Sequence, residues 1–237
     1  MEDFVNCIEF IYPRYYSIVS SISNESLDKI DCTLLFKYIN FTTPKGLSRS
    51  GLSTGYFMTF PEQMKIFISK SKFHLIKFVD RPIIMIANGT GIAPYVGFLE
   101  ERIAQYNRAG VKRKNKFGEA ILIYGCYGNE FFLYKEKFDQ FKKIGVLSQI
   151  ITAFSRDGMN QKEYVQDKLL QHKVHLFDLV SRQHAVVYIC GDSHGMGKGV
   201  REKWLEIFQQ EGQMSYQQSL TFLNRLIEDK QYLEDIY

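Results

Sequence analysis

One stretch limits the fold more than any other: Pro82–Glu101, PIIMIANGTGIAPYVGFLEE. Pro82–Ala87 is a short apolar run rich in β-branched residues, the pattern of a strand buried on both faces. Asn88-Gly89-Thr90-Gly91 then turns the chain, and Pro94 stands where the first turn of a helix tolerates proline. Val96, Leu99, Ile103 and Tyr106 follow at helical spacing. A strand, a glycine turn and a helix start together make an anion site, because free backbone N–H groups and the positive helix end face the turn. Phosphate binding at Gly89 and Thr90 is therefore expected. The same order also serves an ordinary tight strand-to-helix turn.

The chain on either side differs in texture. Before Pro82 the sequence reads as antiparallel β-structure. Residues 13–22 (PRYYSIVSSI), Asp31–Phe41 and the alternating Gln63–Ser69 (QMKIFIS) are its expected strands, and a Gly/Ser/Thr-rich loop, GLSTGYF, starts at Gly51. After Pro82, apolar strand runs alternate with amphipathic stretches. The strands are Ala120–Tyr124, Leu147–Phe154 and Ala185–Ile189. The helices are Glu130–Ile144, Glu163–Val180 and two stretches near 195–211 and 215–229. Such alternation predicts a parallel, doubly wound α/β sheet with ligands at the carboxyl ends of its strands. Gly89–Gly91, Gly125–Cys126, Ser155–Arg156 and Cys190–Asp192 would then share one rim. The expected division is residues 1–78, part of an antiparallel barrel, and residues 79–237, the α/β domain.

Composition narrows the function classes. A formal net charge of +4 over 237 residues is too mild to argue for nucleic acid, though it suits an anionic ligand. No apolar run is long enough for a membrane span. MEDFVNCIEF starts acidic and lacks the order of a secretory leader. Cys7, Cys32, Cys126 and Cys190 show neither zinc nor CxxC spacing, so reduced thiols in the cytoplasm are expected, and no metal site. At the rim, Ser155 and Arg156, with Lys162 and Tyr164 opening the next helix, offer the donors that a 2′-phosphate on adenosine ribose requires. Without further context, a capping serine with surface cations is the favoured explanation of them. Cys190 reads as a buried thiol, Asp192 as a helix cap and Trp204 as core.

Eight ordered segments carry a resemblance: RYYS (Arg14–Ser17), GLSTGYF (Gly51–Phe57), GTGIAPYVGFLEER (Gly89–Arg102), LIYGC (Leu122–Cys126), AFSRD (Ala153–Asp157), KEYVQD (Lys162–Asp167), YICGD (Tyr188–Asp192) and YLEDIY (Tyr232–Tyr237). In this order they resemble the ferredoxin–NADP reductase-like half of the diflavin reductases, and within that family most nearly the methionine synthase reductases. The resemblance implies an FAD-binding barrel and an NADPH-binding α/β domain. It places Arg14, Tyr16 and Ser17 along the flavin, and Gly51, Leu52, Ser53 and Thr54 at the flavin pyrophosphate. It places Thr90 at the NADPH pyrophosphate, and Ser155, Arg156, Lys162, Tyr164 and Gln166 around the adenosine phosphate. Ser17, Cys190 and Asp235 would surround the reacting nicotinamide, and Tyr237 would cover the flavin.

The implied activity is hydride transfer from NADPH to FAD, with electrons passed on through FMN in a preceding module. The implied partner is a cobalamin-dependent methionine synthase. Other diflavin reductases, of cytochrome, nitric oxide synthase or sulfite type, are the nearest alternative. A non-catalytic dinucleotide-binding remnant is a second class, and the joint presence of Ser17, Cys190, Asp235 and Tyr237 argues against it. The sequence departs from the family pattern at Asn88, where a proline is usual, at Tyr127, where an arginine is usual, and at Tyr237, where tryptophan is usual in that subfamily. RYYS starts thirteen residues after the first residue, so the barrel is expected to be incomplete and FAD to bind weakly.

Overall fold

The structure, a computed structural model, describes residues 12–21, 31–108, 117–156 and 162–237. Cys7 and Asp157 lie outside the described residues. Five parallel strands form the centre: β3 (Ile83–Asn88), β4 (Ala120–Cys126), β5 (Gln149–Phe154), β6 (Val186–Gly191) and β7 (Tyr232–Ile236), in spatial order β5-β4-β3-β6-β7. A separate two-stranded antiparallel sheet, β1 (Asn40–Thr42) with β2 (Ser48–Ser50), precedes them. The expected doubly wound α/β sheet is thus present, and β3 with β6 is the place where the order reverses.

The period-2 alternation of the strands decides which helix packs where. Ile84, Ile86, Ile121, Ile123, Val187 and Ile189 face one side. They are covered there by α4 (Val165–Gln171), α5 (Lys173–Ser181), α6 (Lys198–Glu211) and α7 (Tyr216–Glu228), with Trp204 wholly buried among them. Ile83, Met85, Leu122, Tyr124, Tyr188 and Cys190 face the other side, under α2 (Ala93–Arg108) and α3 (Lys135–Ile144). Tyr95 of α2 pins that side: its hydroxyl donates to the carbonyls of Ile86 (2.7 Å) and Tyr188 (2.9 Å), bridging β3 and β6. Val19 and Phe73 from the preceding segment pack on the same face.

Several expected elements differ. Glu163–Val180 is two helices, because His172 leaves helical geometry (φ −107°, ψ 14°), ending one and capping the next. The helix expected from Glu130 starts only at Lys135, since Tyr134 adopts a left-handed conformation (φ 57°) after a single 3₁₀ turn at Asn129–Phe131. GLSTGYF is no loop: Leu52–Phe57 forms a short helix, α1. Gln63–Ser69 has the alternation of a half-buried strand but is extended, unpaired and exposed, with Ile68 at 85% exposure. A strand pattern needs a paired neighbour to become a strand, and among the described residues no strand pairs with it, although the Tyr15 ring meets Phe67 at 5.7 Å. Among the described residues, 13–21 pair with Asp31–Phe41 through a single Ile18–Leu34 bridge, and Asp31–Phe41 enters a sheet only at its end, where Asn40 and Phe41 lie in β1. The strand β7, by contrast, was not anticipated.

Candidate functional site

The rim is built by what β3 and β6 do on leaving the sheet. After Asn88 the chain enters a 3₁₀ turn, Gly89–Ile92, that runs straight into α2. Gly89 has φ +50°, a conformation glycine adopts without penalty, and the space beyond it is open. Gly91 serves a different need. A Cβ there would lie 2.1 Å from the carbonyl oxygen of Cys190, so only glycine lets this turn close on the end of β6. The first N–H groups of a helical run have no partner one turn earlier, and here they face a rim with no side chain at Gly89. The turn therefore fits a pyrophosphate.

Asn88 ties the two strand ends together. Its Oδ1 accepts from the Asp192 N–H (3.2 Å) and fills the space where a side chain on Gly191 would sit. Tyr124 supports the same turn, its hydroxyl donating to the Gly89 carbonyl (3.0 Å). Sequence reading saw Asn88 only as a missing proline and passed over Tyr124. A short amide at a strand end facing a glycine, and a tyrosine two positions before another strand's end, were the available signals. Asp192 caps the turn after β6 as expected, its Oδ2 accepting from Gly195 N–H at 2.6 Å.

Three of the four expected catalytic residues meet at one carboxylate oxygen. Cys190 and Asp235 are register partners in β6 and β7. Asp235 Oδ2 accepts from Ser17 Oγ at 2.7 Å and lies 3.9 Å from Cys190 Sγ. Cys190 is fully buried; burial first, then the Asp235 charge, push its thiol well above the ordinary value, so the sulfur stays protonated at neutral pH. A protonated thiol can point its hydrogen at the carboxylate. Tyr237 belongs to the same group: its hydroxyl is 2.9 Å from Thr90 Oγ1. Its backbone N–H donates to Gly191 O (3.1 Å). Burial, opposed in part by the Thr90 bond, raises its phenol.

The other expected contacts are spread over two further regions. Ser155 N–H donates to Cys126 O (3.0 Å) and Arg156 N–H to Tyr127 O (2.9 Å), which holds the end of β5 against the end of β4. The Arg156 guanidinium stacks 4.2 Å from the Tyr127 ring centre. Tyr164 is the residue before α4, with its ring exposed, and Lys162 is exposed beside it. Among the described residues no bond joins Lys162 to Ser155 or Arg156. Gln166 lies against Gly199 of α6, its Nε2 where a Cβ on Gly199 would go. In the preceding segment, Tyr16 packs on Phe57 (5.3 Å) and Phe36 (6.4 Å). Gly51 leads into Leu52, Ser53 and Thr54 of α1, with its N–H bonded to Ile39 O (2.8 Å). Arg14 is exposed and donates to Tyr12 O (2.6 Å).

Comparison with known proteins agrees with this geometry. Residues 85–202, from β3 into α6, match the family described as oxidoreductase NAD-binding domain. The chain is 32% identical over 234 residues to the NADPH–cytochrome P450 reductases of Sus scrofa and Bos taurus, matching 94% of this chain and 33% of theirs. It is 33% identical over 226 residues to that of Salmo trutta, matching 94% of this chain and 34% of the relative. These similarities support a diflavin reductase or ferredoxin–NADP reductase-like family. It spans about a third of the length of the curated relatives it matches. Two distant segments converge on Asp235: residue 17 and residue 235 lie 218 positions apart, yet share a hydrogen bond. Among the described residues no group of His, Cys, Asp and Glu could hold a metal ion, and no helix is long and apolar enough to cross a membrane.

Proposed function

We propose that this chain carries the FAD and NADP(H) sites of a flavoprotein reductase, with residues 1–78 on the FAD side and residues 79–237 on the NADP(H) side. The observation that carries the reading is the meeting of Ser17, Cys190 and Asp235 at the carboxyl rim of a dinucleotide-binding sheet. When bound, FAD supplies the chemistry of accepting a hydride from NADPH and releasing electrons singly. The protein's part is placement and charge. The Gly89–Ile92 turn holds the pyrophosphate, and Ser155 and Arg156 hold the 2′-phosphate. Both fix the nicotinamide end at the rim. Asp235 there offers a fixed negative charge against the positive charge that grows on nicotinamide as hydride leaves. Cys190, held protonated beneath the rim, adds no second negative charge beside Asp235. Ser17 links the flavin-side segment to the same carboxylate.

The test is anaerobic stopped-flow mixing of the chain, with FAD in excess, against NADPH deuterated at the transferred position. Flavin bleaching with a primary isotope effect, slowed in Cys190→Ala and Asp235→Asn, is expected. Bleaching that is absent, or indifferent to both substitutions, rejects the reading.

For the acceptor we infer methionine synthase, reached through an FMN module. STGYF, the KIFIS segment, GVLSQIITAFSRD and YLEDI support that choice. A second reading, a haem-protein acceptor, is favoured by the 32% identity to the cytochrome P450 reductases. Protein purified from its source and assayed with NADPH for methionine synthase reactivation and for P450 reduction separates the two.

A further inference from the structure

Arg156 does not extend freely from the end of β5. Its guanidinium carbon lies over the Tyr127 ring, 4.2 Å from the ring centre. Tyr127 is itself braced, its ring meeting Phe131 edge to face at 5.7 Å and 85°. The two main chains are bonded as well, Arg156 N–H to Tyr127 O at 2.9 Å, which holds the attachment points of the two side chains side by side. A cation–π contact occupies no anionic acceptor, so the guanidinium N–H groups turned away from the ring stay available, and such groups grip a phosphate. Among the described residues no carboxylate pairs with Arg156.

We propose that Tyr127 is a positioning residue that presets Arg156 for a 2′-phosphorylated adenosine, and so sets the preference for NADP(H) over NAD(H). The inference rests on the NADP(H) reading above. Stacking restricts the long Arg156 side chain before the ligand arrives, so less freedom is lost on binding. The ring is 43% exposed, so the effect on affinity is that of an exposed cation–π pair, roughly two- to fivefold.

The test uses the intact chain and calorimetry with two probes, 2′,5′-ADP and 5′-ADP. Tyr127→Ala and Tyr127→Leu should weaken 2′,5′-ADP roughly two- to fivefold and leave 5′-ADP unchanged. Tyr127→Phe, which keeps the ring face, should match the parent chain. In an Arg156→Ala background, Tyr127→Ala should add nothing, since the ring acts only through Arg156. Arg156→Ala weakening 2′,5′-ADP while both Tyr127 variants leave it unchanged overturns this inference and leaves the NADP(H) reading standing. Equal weakening of both probes by Tyr127→Ala also overturns it, because the ring would then be supporting the fold or the adenine. An Arg156→Ala chain that binds 2′,5′-ADP as the parent does overturns both. Thermal melts of each variant distinguish lost folding from lost binding, and the bulky Tyr127→Leu covers the case of an unstable alanine variant.

Discussion

Gly91→Ala is the smallest change that tests how the rim is assembled. The new methyl carbon would lie 2.1 Å from Cys190 O, 2.6 Å from Cys190 C and 2.9 Å from Gly191 Cα, all backbone atoms in the middle of the sheet. Ordinary contact begins at 3.4 Å, so the turn and the end of β6 must separate by about 1.3 Å. Overpacking of this kind costs roughly 1–3 kcal/mol, and backbone against backbone belongs at the upper end. For a chain of this length, about 3 kcal/mol lowers Tm by roughly 6–12 °C. The functional loss should be larger, because the displaced carbonyl belongs to Cys190. A misplacement of about 1 Å can cost on the order of 10²-fold in a step that depends on two aligned rings. Gly89→Ala is the control. It forces a left-handed conformation at about 1–2 kcal/mol but meets nothing within 4 Å, so stability should fall and NADPH, whose pyrophosphate approaches there, should bind more weakly, while the hydride step at saturating NADPH survives. Thermal unfolding and stopped-flow flavin reduction with FAD in excess, run on both variants, read these effects. A Gly91→Ala chain with an unchanged hydride rate would show that the close approach of turn and strand does not position Cys190.

Asp235→Asn should slow hydride transfer by at least about tenfold, the value of a hydrogen bond to a charged group, measured by the same flavin bleaching. It should also lower the pH at which Cys190 is alkylated, because the carboxylate is the second cause of the raised thiol; unchanged alkylation would remove Asp235 from that role. Tyr237→Ala removes a ring tethered to Thr90, and should tighten NADP⁺ binding in calorimetry and narrow the NADPH/NADH ratio of hydride transfer; an unchanged ratio refutes the gating role. Cys190, Tyr95, Tyr124, Tyr188 and Tyr232 all hold their protons more tightly when folded, burial being the first cause at each. Their stabilisation is fully present below the ordinary values of 9.0 and 10.0 and is lost as pH rises beyond them, at about 1.4 kcal/mol per pH unit for each group. Denaturant titrations from pH 8 upward should therefore show stability falling above about pH 9, first through the thiols of Cys190 and Cys126, both raised by burial, and then more steeply through the phenols; Cys190→Ala should lower the initial slope, and a flat profile refutes it.

The centre of the parallel sheet was legible because β3, β4 and β6 are buried on both faces along most of their length. Ile83–Ala87 and Val186–Ile189 are continuous apolar runs, and only a strand between two helical layers can bury every residue. The antiparallel segment was misread for the opposite reason. Alternation in QMKIFIS states which face would be buried, but pairing requires a neighbour, and that is not a property of the seven residues. His172 and Tyr134, which divide expected helices, carry no breaker signal; their backbone angles are set by how the flanking helices pack. At the site, Ser17, Cys190 and Asp235 were named through motifs, and the distances between them could not be. Tyr127 against Arg156 was visible only as two residues at the ends of adjacent strands. Asn88, read as a departure, bonds to the strand end that a proline side chain could not reach with a hydrogen bond.

The unanticipated β7 explains how so short a segment can position two groups of the site. Side chains alternate along a strand, so Leu233, Asp235 and Tyr237 share the face on which Tyr188 and Cys190 lie, while Tyr232 enters the opposite core. A one-residue slip would send Asp235 to the wrong side of the sheet. Both ends of the strand resist that slip. At its start, Gln231 is buried with its Nε2 donating to Val180 O (2.9 Å), its carbonyl accepting from Val187 N–H (2.8 Å) and its N–H bonded to Leu226 O (2.7 Å). At its end, Tyr237 N–H donates to Gly191 O and its carbonyl accepts from Ser193 N–H (3.0 Å). The register is therefore fixed by groups that take no part in chemistry, and the carboxylate opposite Cys190 inherits its position from them. Ser17 reaches that carboxylate from a segment with little regular structure of its own, so Asp235 gives that segment a fixed point on the sheet.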